Sequence, residues 1–333
     1  MQKVEKSHFS TSGRKRDSTA TDISSIIYAL NNFRKERLAY ILEQSGFETD
    51  GEKEHLIRHI TIALHKGTMD LEFVKDCVLS WEPWSRRHVF FFRHDELQQL
   101  DLETIVQEIP KEYRHLVGRD RRYLNSMKIE VESIEISPSK LKMFMRAPAL
   151  IEIREQSEDE FGHDNGLKKY AYRDVKIRKI YVFELDIISG TGFVSIPSIQ
   201  SKSKYTKEAE LVLKFVNRIF PSLSLNKIQI RDSISNLRLL ENIKNKGLDV
   251  HMGELKALFR STSKKDLADE DIPEEVSKII DENHLEEGIF EVGDLELKKI
   301  CSMRIYKDSR LGIFRDIDEE EFRYVCETVL TNT

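Results

Sequence analysis

KIEVESIEISPSKLKMFMRAPALIEIR, residues 128–154, is where the chain changes period. Ile129-x-Val131, Ile134-x-Ile136 and Met143-x-Met145 alternate in steps of two, and Leu150 to Ile153 continues the step. Alternation sends one set of side chains to a core and the other to solvent, the mark of half-buried strands. Val175-x-Ile177 and Tyr181-x-Phe183-x-Leu185 repeat it, and Phe193 to Ile196 resumes after the turn signal Gly190-Thr191-Gly192. The pattern predicts an antiparallel meander, with SEDEFGHDNGLKK (157–169) as its polar loop.

Upstream the spacing is helical throughout residues 22–126. Ile23, Ile26, Ile27 and Leu30 recur at three and four, as do Leu38, Ile41 and Leu42, then Leu56, Ile57, Ile60 and Leu64. Thr49 followed by Glu52 spells a capping box. Thr68 is the expected cap of a helix through Leu71, Val74, Val78 and Trp81, stopped by Pro83. Asp95 to Ile109 reads as a further helix, closed before Pro110. Downstream, Lys207 to Phe220 and residues 232–246 read as helices ended by Pro221 and Gly247. Gly288–Val292 and Leu295–Tyr306 are expected to pair around Gly293-Asp294, with Leu311–Phe314 as another strand. Asp318 caps a last helix to Leu330, with Glu319, Glu320 and Glu321 where the helix dipole favours acids. The expected fold class is α+β: an N-terminal helical bundle, an antiparallel β-sheet domain with packed helices, and a C-terminal β-β-α unit. The expected divisions are a disordered tail at 1–21, a helical domain at 22–126, the meander with its helices at 127–261, and an acidic unit at 262–333 that opens on a charged linker, 262–272.

At 333 residues, 39% hydrophobic and 33% charged, the chain is long and apolar enough for two domains with a core. No apolar run reaches the length of a membrane span. The N-terminus has no apolar signal-peptide region, and three widely spaced cysteines (Cys77, Cys301, Cys326) fit a reducing compartment. An intracellular location is expected, nuclear if the source is eukaryotic. Charge is uneven: 1–126 balances, 127–263 carries a surplus of five positive charges, and 264–333 a surplus of ten negative ones. Nucleic-acid contact would therefore need a local patch on the first two thirds, and the acidic end would face a basic partner or solvent. Gly13-Arg14-Lys15-Arg16 in the tail reads either as a localisation or phosphate-contacting patch or as solvated charge.

Arg34 to Lys66, RKERLAYILEQSGFETDGEKEHLIRHITIALHK, reads as two short helices around a Gly-Phe-x-Thr-x-Gly-x-Lys turn. It resembles the SAP family, a small DNA-binding helix–extension–helix module. The resemblance rests on Leu38, Ile41 and Leu42, on Gly46, Thr49, Gly51 and Lys53 in and after the turn, and on Leu56 and Ile57. Gly46 suits a left-handed helix end, Gly51 a close backbone approach, and exposed amides beside Lys53 a phosphate. Arg34, Lys35, Arg37 and Arg58 would extend that patch, while Glu36, Glu48, Asp50, Glu52 and Glu54 dilute it. A plain structural hairpin is the alternative. Arg86-Arg87 and Arg119, Arg121 and Arg122 form two further basic groups, with Trp84 and Tyr123 nearby to stack or pack beside phosphates; ordinary surface charge explains them equally.

The order of elements, together with LAYILEQSGF, the Trp81/Trp84 region and Gly312-Ile313-Phe314-Arg315 leading into the last helix, resembles the CENP-N kinetochore family. That resemblance implies an N-terminal bundle and following domain that grip centromeric nucleosomal DNA and histone, and a C-terminal part that pairs with a sister subunit.

Catalytic signals are weak. His55 and His59 lie one turn apart in HLIRH, but position 56 is Leu where a metalloprotease has Glu, and no third ligand is evident. Glu132, Asp174 and Lys176 are the nearest approach to a metal-dependent nuclease set, although alternating charge on a half-exposed strand accounts for them too. Phosphate-loop, dinucleotide and serine-esterase motifs are absent, and Cys77 reads as core. No catalytic residue, cofactor, metal or small-molecule substrate is assigned. The expected function is a non-enzymatic DNA- or chromatin-binding adaptor. It would contact double-stranded DNA or a nucleosome through Arg34, Lys35, Arg37, Lys53, Arg58, Arg86, Arg87, Arg119, Arg121 and Arg122, and a protein partner through its C-terminal unit. The alternatives are the nuclease and a protein–protein scaffold.

Overall fold

A computed structural model describes residues 22–94, 102–123, 128–154, 160–161, 168–169, 172–198, 205–240, 243–252, 255–261, 267, 278, 280, 284–294 and 299–333. The tail at 1–21, most of the 157–169 loop, nearly all of the 262–272 linker and the expected start of the Asp95 helix lie outside these. The chain divides into two compact units. Unit 1 is Met1–Val78, Tyr123–Lys128 and Pro148–Arg178; unit 2 is Leu79–Arg122, Ile129–Ala147 and Lys179–Thr333. The division follows neither 126/127 nor 261/262.

In unit 1, α1 (residues 22–30), α2 (Lys35–Gln44), α3 (Lys53–Lys66) and the start of α4 (Leu71–Trp81) follow in order. Their apolar stripes are the buried ones: Ile23, Ile26 and Leu30, then Leu38, Ile41 and Leu42, then Leu56, Ile57, Ile60 and Leu64. The expected cap of α4 is displaced. Asp70 Oδ1 accepts the Glu72 N–H at 2.9 Å, while the Thr68 hydroxyl donates to the Ala63 carbonyl at the end of α3. Lys75 pairs with Asp22 at 3.2 Å. Tyr123 Oη donates to Ser25 Oγ at 2.9 Å, under the Arg178 guanidinium 4.6 Å from its ring. A pair of two-residue strands, β4 (Glu160–Phe161) and β5 (Lys168–Lys169), also belongs to this unit.

Unit 2 is built on an antiparallel sheet of 11 strands. Its first strand, β1 (Ser85–His94), was not legible as one: it falls in the stretch whose spacing predicts helix. β1 lies mid-sheet between β13 (Arg310–Asp316) and β7 (Thr191–Pro197), and its end also pairs with β8 (Leu225–Lys227). On one side the order continues through β6 (Tyr172–Asp186) and β3 (Lys140–Arg154) to β2 (Glu130–Ile136), the expected meander. On the other it runs through β12 (Lys299–Tyr306), β11 (His284–Asp294) and β9 (Ile243–Met252) to β10 (Leu255–Arg260). The predicted helix at 232–246 is therefore corrected: among its described residues only α7 (Ser233–Leu237) is helical, and β9 begins six residues later.

Helices cover both faces around β1. Val89 and Phe91 join one core with α7 and α8 (Glu319–Thr331); Phe90 and Phe92 join the other with α5 (Leu102–Glu108) and α6 (Tyr205–Ile219). A strand buried on both sides loses its polar alternation and reads as a short apolar run. α8 starts as the sequence predicts. Asp318 Oδ1 accepts the Glu321 N–H at 2.9 Å, and the Glu321 carboxylate accepts the Asp318 N–H at 2.8 Å. Among the described residues no helix is long and apolar enough to cross a membrane.

Candidate functional site

The helix pair of unit 1 is shaped by its glycines. At the end of α2, Gly46 stands at φ 76°, its N–H donating to the Glu43 carbonyl at 3.0 Å, while the Phe47 N–H donates to Leu42 at 2.9 Å. These two crossed bonds close the last carbonyls of the helix and need a left-handed residue between them. Gly51 stands at φ 116°, and a Cβ there would fall 2.5 Å from His55 Nδ1. The chain enters α3 at Glu52, which is extended and makes no side-chain cap bond. The capping box expected from Thr49 and Glu52 is thus not formed: Glu52 occupies the cap position itself, three residues after Thr49. Lys53 Nζ donates to the Asn31 carbonyl at 2.7 Å, which ties the start of α3 to the end of α1.

Of the basic residues assigned to this pair, Lys35 and Arg58 are exposed and Arg34 is half-buried. Arg37 is only 6% exposed, with its guanidinium 5.7 Å from the Phe33 ring, so it belongs to the core. The charge pattern of α3 is more informative than that of the pair as a whole. His55, Arg58, Ile62, His65 and Lys66 all face solvent. No carboxylate occurs between His55 and Met69. The diluting acids lie on α2, in the turn and in the first turn of α3. This acid-free helix face was present in the sequence and is visible once the buried stripe is subtracted.

In unit 2 the predicted basic groups separate by burial. Arg86 and Arg122 are exposed, and Arg119 is half-buried. Arg86 adopts φ 44° at a bulge between Ser85 and Arg87. Arg87 is fully buried. Its Nε donates to Ser195 Oγ at 2.8 Å, and its Nη2 to the carbonyls of Ile180 at 2.6 Å and Ser195 at 2.8 Å. Burial pushes its guanidinium down to about 9, so it is still charged at neutral pH. Arg121 donates to the Leu79 carbonyl at 2.6 Å, sits 4.2 Å from the Phe144 ring and pairs with Glu132 at 3.9 Å. Arg37, Arg87 and Arg121 therefore leave the surface set. So do the stacking aromatics, since Trp84 and Tyr123 are both buried.

The nuclease set loses Glu132, which is 5% exposed and held by Arg121 and by the Arg122 N–H at 3.2 Å. The side chains of Asp174 and Lys176 lie outside the described residues. Cys77 is buried, as expected, and burial raises its thiol to about 11.

A cluster that sequence reading missed lies on the face of β1, β12 and β13 opposite α8. The Arg310 guanidinium stands 3.9 Å from the Tyr306 ring and 4.9 Å from Tyr205. It donates to His88 Nδ1 at 3.3 Å. Arginine cannot accept a hydrogen bond, so that nitrogen carries the lone pair and His88 is neutral. Burial, then Arg310 and Arg87, pushes His88 down to about 3. Gly312 leaves room for these rings: a Cβ there would meet Tyr306 at 2.9 Å and Phe314 at 3.1 Å. Phe314, 40% exposed, is the outer edge of the cluster. Beyond it, Arg304 pairs with Glu287 and Lys246 with Glu291, rung by rung across the sheet. Adjacency in the sheet brings residues 88, 306 and 310 together, and the start of α6 adds Tyr205. No family model matches this chain, and no curated protein matches it.

Proposed function

We propose that the protein is a non-enzymatic DNA- or chromatin-binding adaptor. The observation that carries the reading is the solvent face of α3, where Arg58 and Lys66 stand among exposed histidines with no carboxylate from His55 to Met69. An α-helix with its side chains is about 10–12 Å across, and the DNA major groove is about 12 Å wide, so a helix such as α3 can lie in it. Lys35 on α2 and, in unit 2, Arg86 and Arg122 are the remaining exposed cations of the original set. A CENP-N-like role at the kinetochore, inside the nucleus, is the finer form of this proposal. In it the C-terminal β-β-α unit docks a protein partner, and the exposed Phe314 on its sheet supports that part.

The test is binding of the full chain to a labelled duplex, and in parallel to a reconstituted nucleosome, across a salt series with and without magnesium. Affinity should fall steeply with salt, and Arg58→Glu and Lys66→Glu should each flatten the slope by about one. Salt-independent binding, or slopes unchanged in both variants, refutes α3 as the contact. Strand cleavage in magnesium would favour the nuclease instead. Absence of binding to either substrate at low salt would leave the protein–protein scaffold.

A further inference from the structure

We propose that His55 and His59 form a chelating site for a late first-row transition ion (Cu²⁺, Ni²⁺ or Zn²⁺) on the outer side of α3. The two residues are one helical turn apart, with ring centroids 4.3 Å apart and planes inclined at 46°. His55 is exposed and His59 half-buried, so both rings are reachable from water. A single ion bound at about 2.1 Å to both rings needs its two nitrogens about 3.3 Å apart. The 4.3 Å between ring centroids is compatible with that spacing.

Two features of the turn prepare His55 for the task. Its Nδ1 lies 3.2 Å from the Asp50 carbonyl. A carbonyl can only accept, so Nδ1 carries the proton and Nε2 keeps its lone pair for a ligand. Metal-binding histidines are oriented in the same way, through the second ring nitrogen and a backbone carbonyl. The ring also occupies the space beside Gly51 that any other side chain would fill, 2.5 Å from where its Cβ would stand. The turn glycine thus seats the imidazole as well as turning the chain.

Charges around the pair are mixed. The positive end of α3 and exposed Arg58 oppose a cation, while the exposed acids Asp50, Glu52 and Glu54 offset them. Lys53 is tied to the Asn31 carbonyl. Among the described residues no group of three or more His, Cys, Asp and Glu converges to hold a metal. Among the described residues the two imidazoles are then the protein contribution, and water completes the shell, so affinity should follow the order Ni²⁺ below Cu²⁺ above Zn²⁺.

The experiment is calorimetric titration of the full chain with CuCl₂ and with ZnCl₂, in a non-coordinating buffer and without nucleic acid, so its outcome is independent of the DNA reading. Wild type, His55→Ala, His59→Ala and His65→Ala are compared, with circular dichroism to confirm folding. The expected result is a site that takes one ion per chain, weakened about tenfold or more in both His55→Ala and His59→Ala and unchanged in His65→Ala. Acid should release the ion as the imidazoles protonate. Absence of that site in the wild type, or its loss in neither or only one of the pair variants, overturns the chelate.

Discussion

Arg87 should be a fold residue, and replacing it with Met tests this. Its side chain is fully buried and donates to three acceptors: Ser195 Oγ, the Ser195 carbonyl and the Ile180 carbonyl. The donors matter here because β7 ends in Pro197, which has no N–H to offer a neighbouring strand. Methionine fills similar volume without donating. Each acceptor left dry costs about 1–3 kcal/mol. Against this stands the return of the cost of burying the cation, which is real because burial, the largest cause, drives the guanidinium down to about 9. No carboxylate hydrogen-bonds to Arg87 among the described residues, so the variant strands carbonyls and not a partner charge. A net loss of about 3 kcal/mol is expected, read as a lower urea midpoint at unchanged m-value. Arg87→Lys should fall between, since an ammonium reaches fewer of the three acceptors in one geometry. A Met variant as stable as wild type would refute the argument. It would mean that the buried cation is a net cost to the fold, retained for some other reason.

Gly312→Ala should destabilise by about 1–3 kcal/mol, because the new methyl meets Tyr306 at 2.9 Å and Phe314 at 3.1 Å; thermal melting against a surface Gly→Ala control checks it. Lys142→Met tests the ion network under α8. Burial pushes the Glu319 carboxyl up, but hydrogen bonds from Arg323 and Lys142 outweigh it and hold it below its ordinary 4.5. A carboxylate held low stabilises the fold at pH above that ordinary value, and the contribution is lost as pH falls through the folded value. The gap in urea midpoint between wild type and Lys142→Met should therefore narrow from pH 7 toward pH 3, and a constant gap would show that the ammonium acts through packing on Trp84 and Phe144 alone.

How much was readable depended on whether an element is exposed on one side. α3, α6 and the capped α8 have one wet face, so their period survives in the sequence; β6 and β7 are buried on both faces over Ile180–Leu185 and Phe193–Ile196, and it is the Gly190-Thr191-Gly192 turn between them that marks them. β1 has no wet face either. Its run Val89-Phe90-Phe91-Phe92 feeds two cores at once, and the charged residues before it read as a helix surface. Among site residues, a basic side chain says nothing by itself of where it points. Arg37 could have been placed in the core, since it stands one turn before Ile41 on the buried stripe of α2. Arg87 shares a strand face with Val89 and Phe91, a signal available only after β1 is recognised. Arg121 has no such signal. The cluster of His88, Tyr205, Tyr306 and Arg310 depends on sheet order, which local spacing does not encode.

The surplus of negative charge in residues 264–333 suggests an acidic face for a basic partner, but the described acids there are largely engaged within the fold. Glu287 holds Arg304, Glu291 faces Lys246, Glu319 bonds Lys142 and Arg323, and Asp318 and Glu321 cap α8. Asp308 pairs with Arg310 at 3.5 Å. What the sheet offers outward is a neutralised ladder with two exposed apolar side chains, Phe314 at 40% and Leu258 at 51%. A partner docking here, including a second copy of the chain, would gain from apolar burial and little from charge. Self-association by this route should be nearly indifferent to salt between 0.1 and 0.5 M, where screening weakens exposed charge contacts, and Phe314→Arg should remove it. Sedimentation velocity at both salt concentrations decides the matter. Association that dissolves in salt, or that survives Phe314→Arg, would return the argument to the acids.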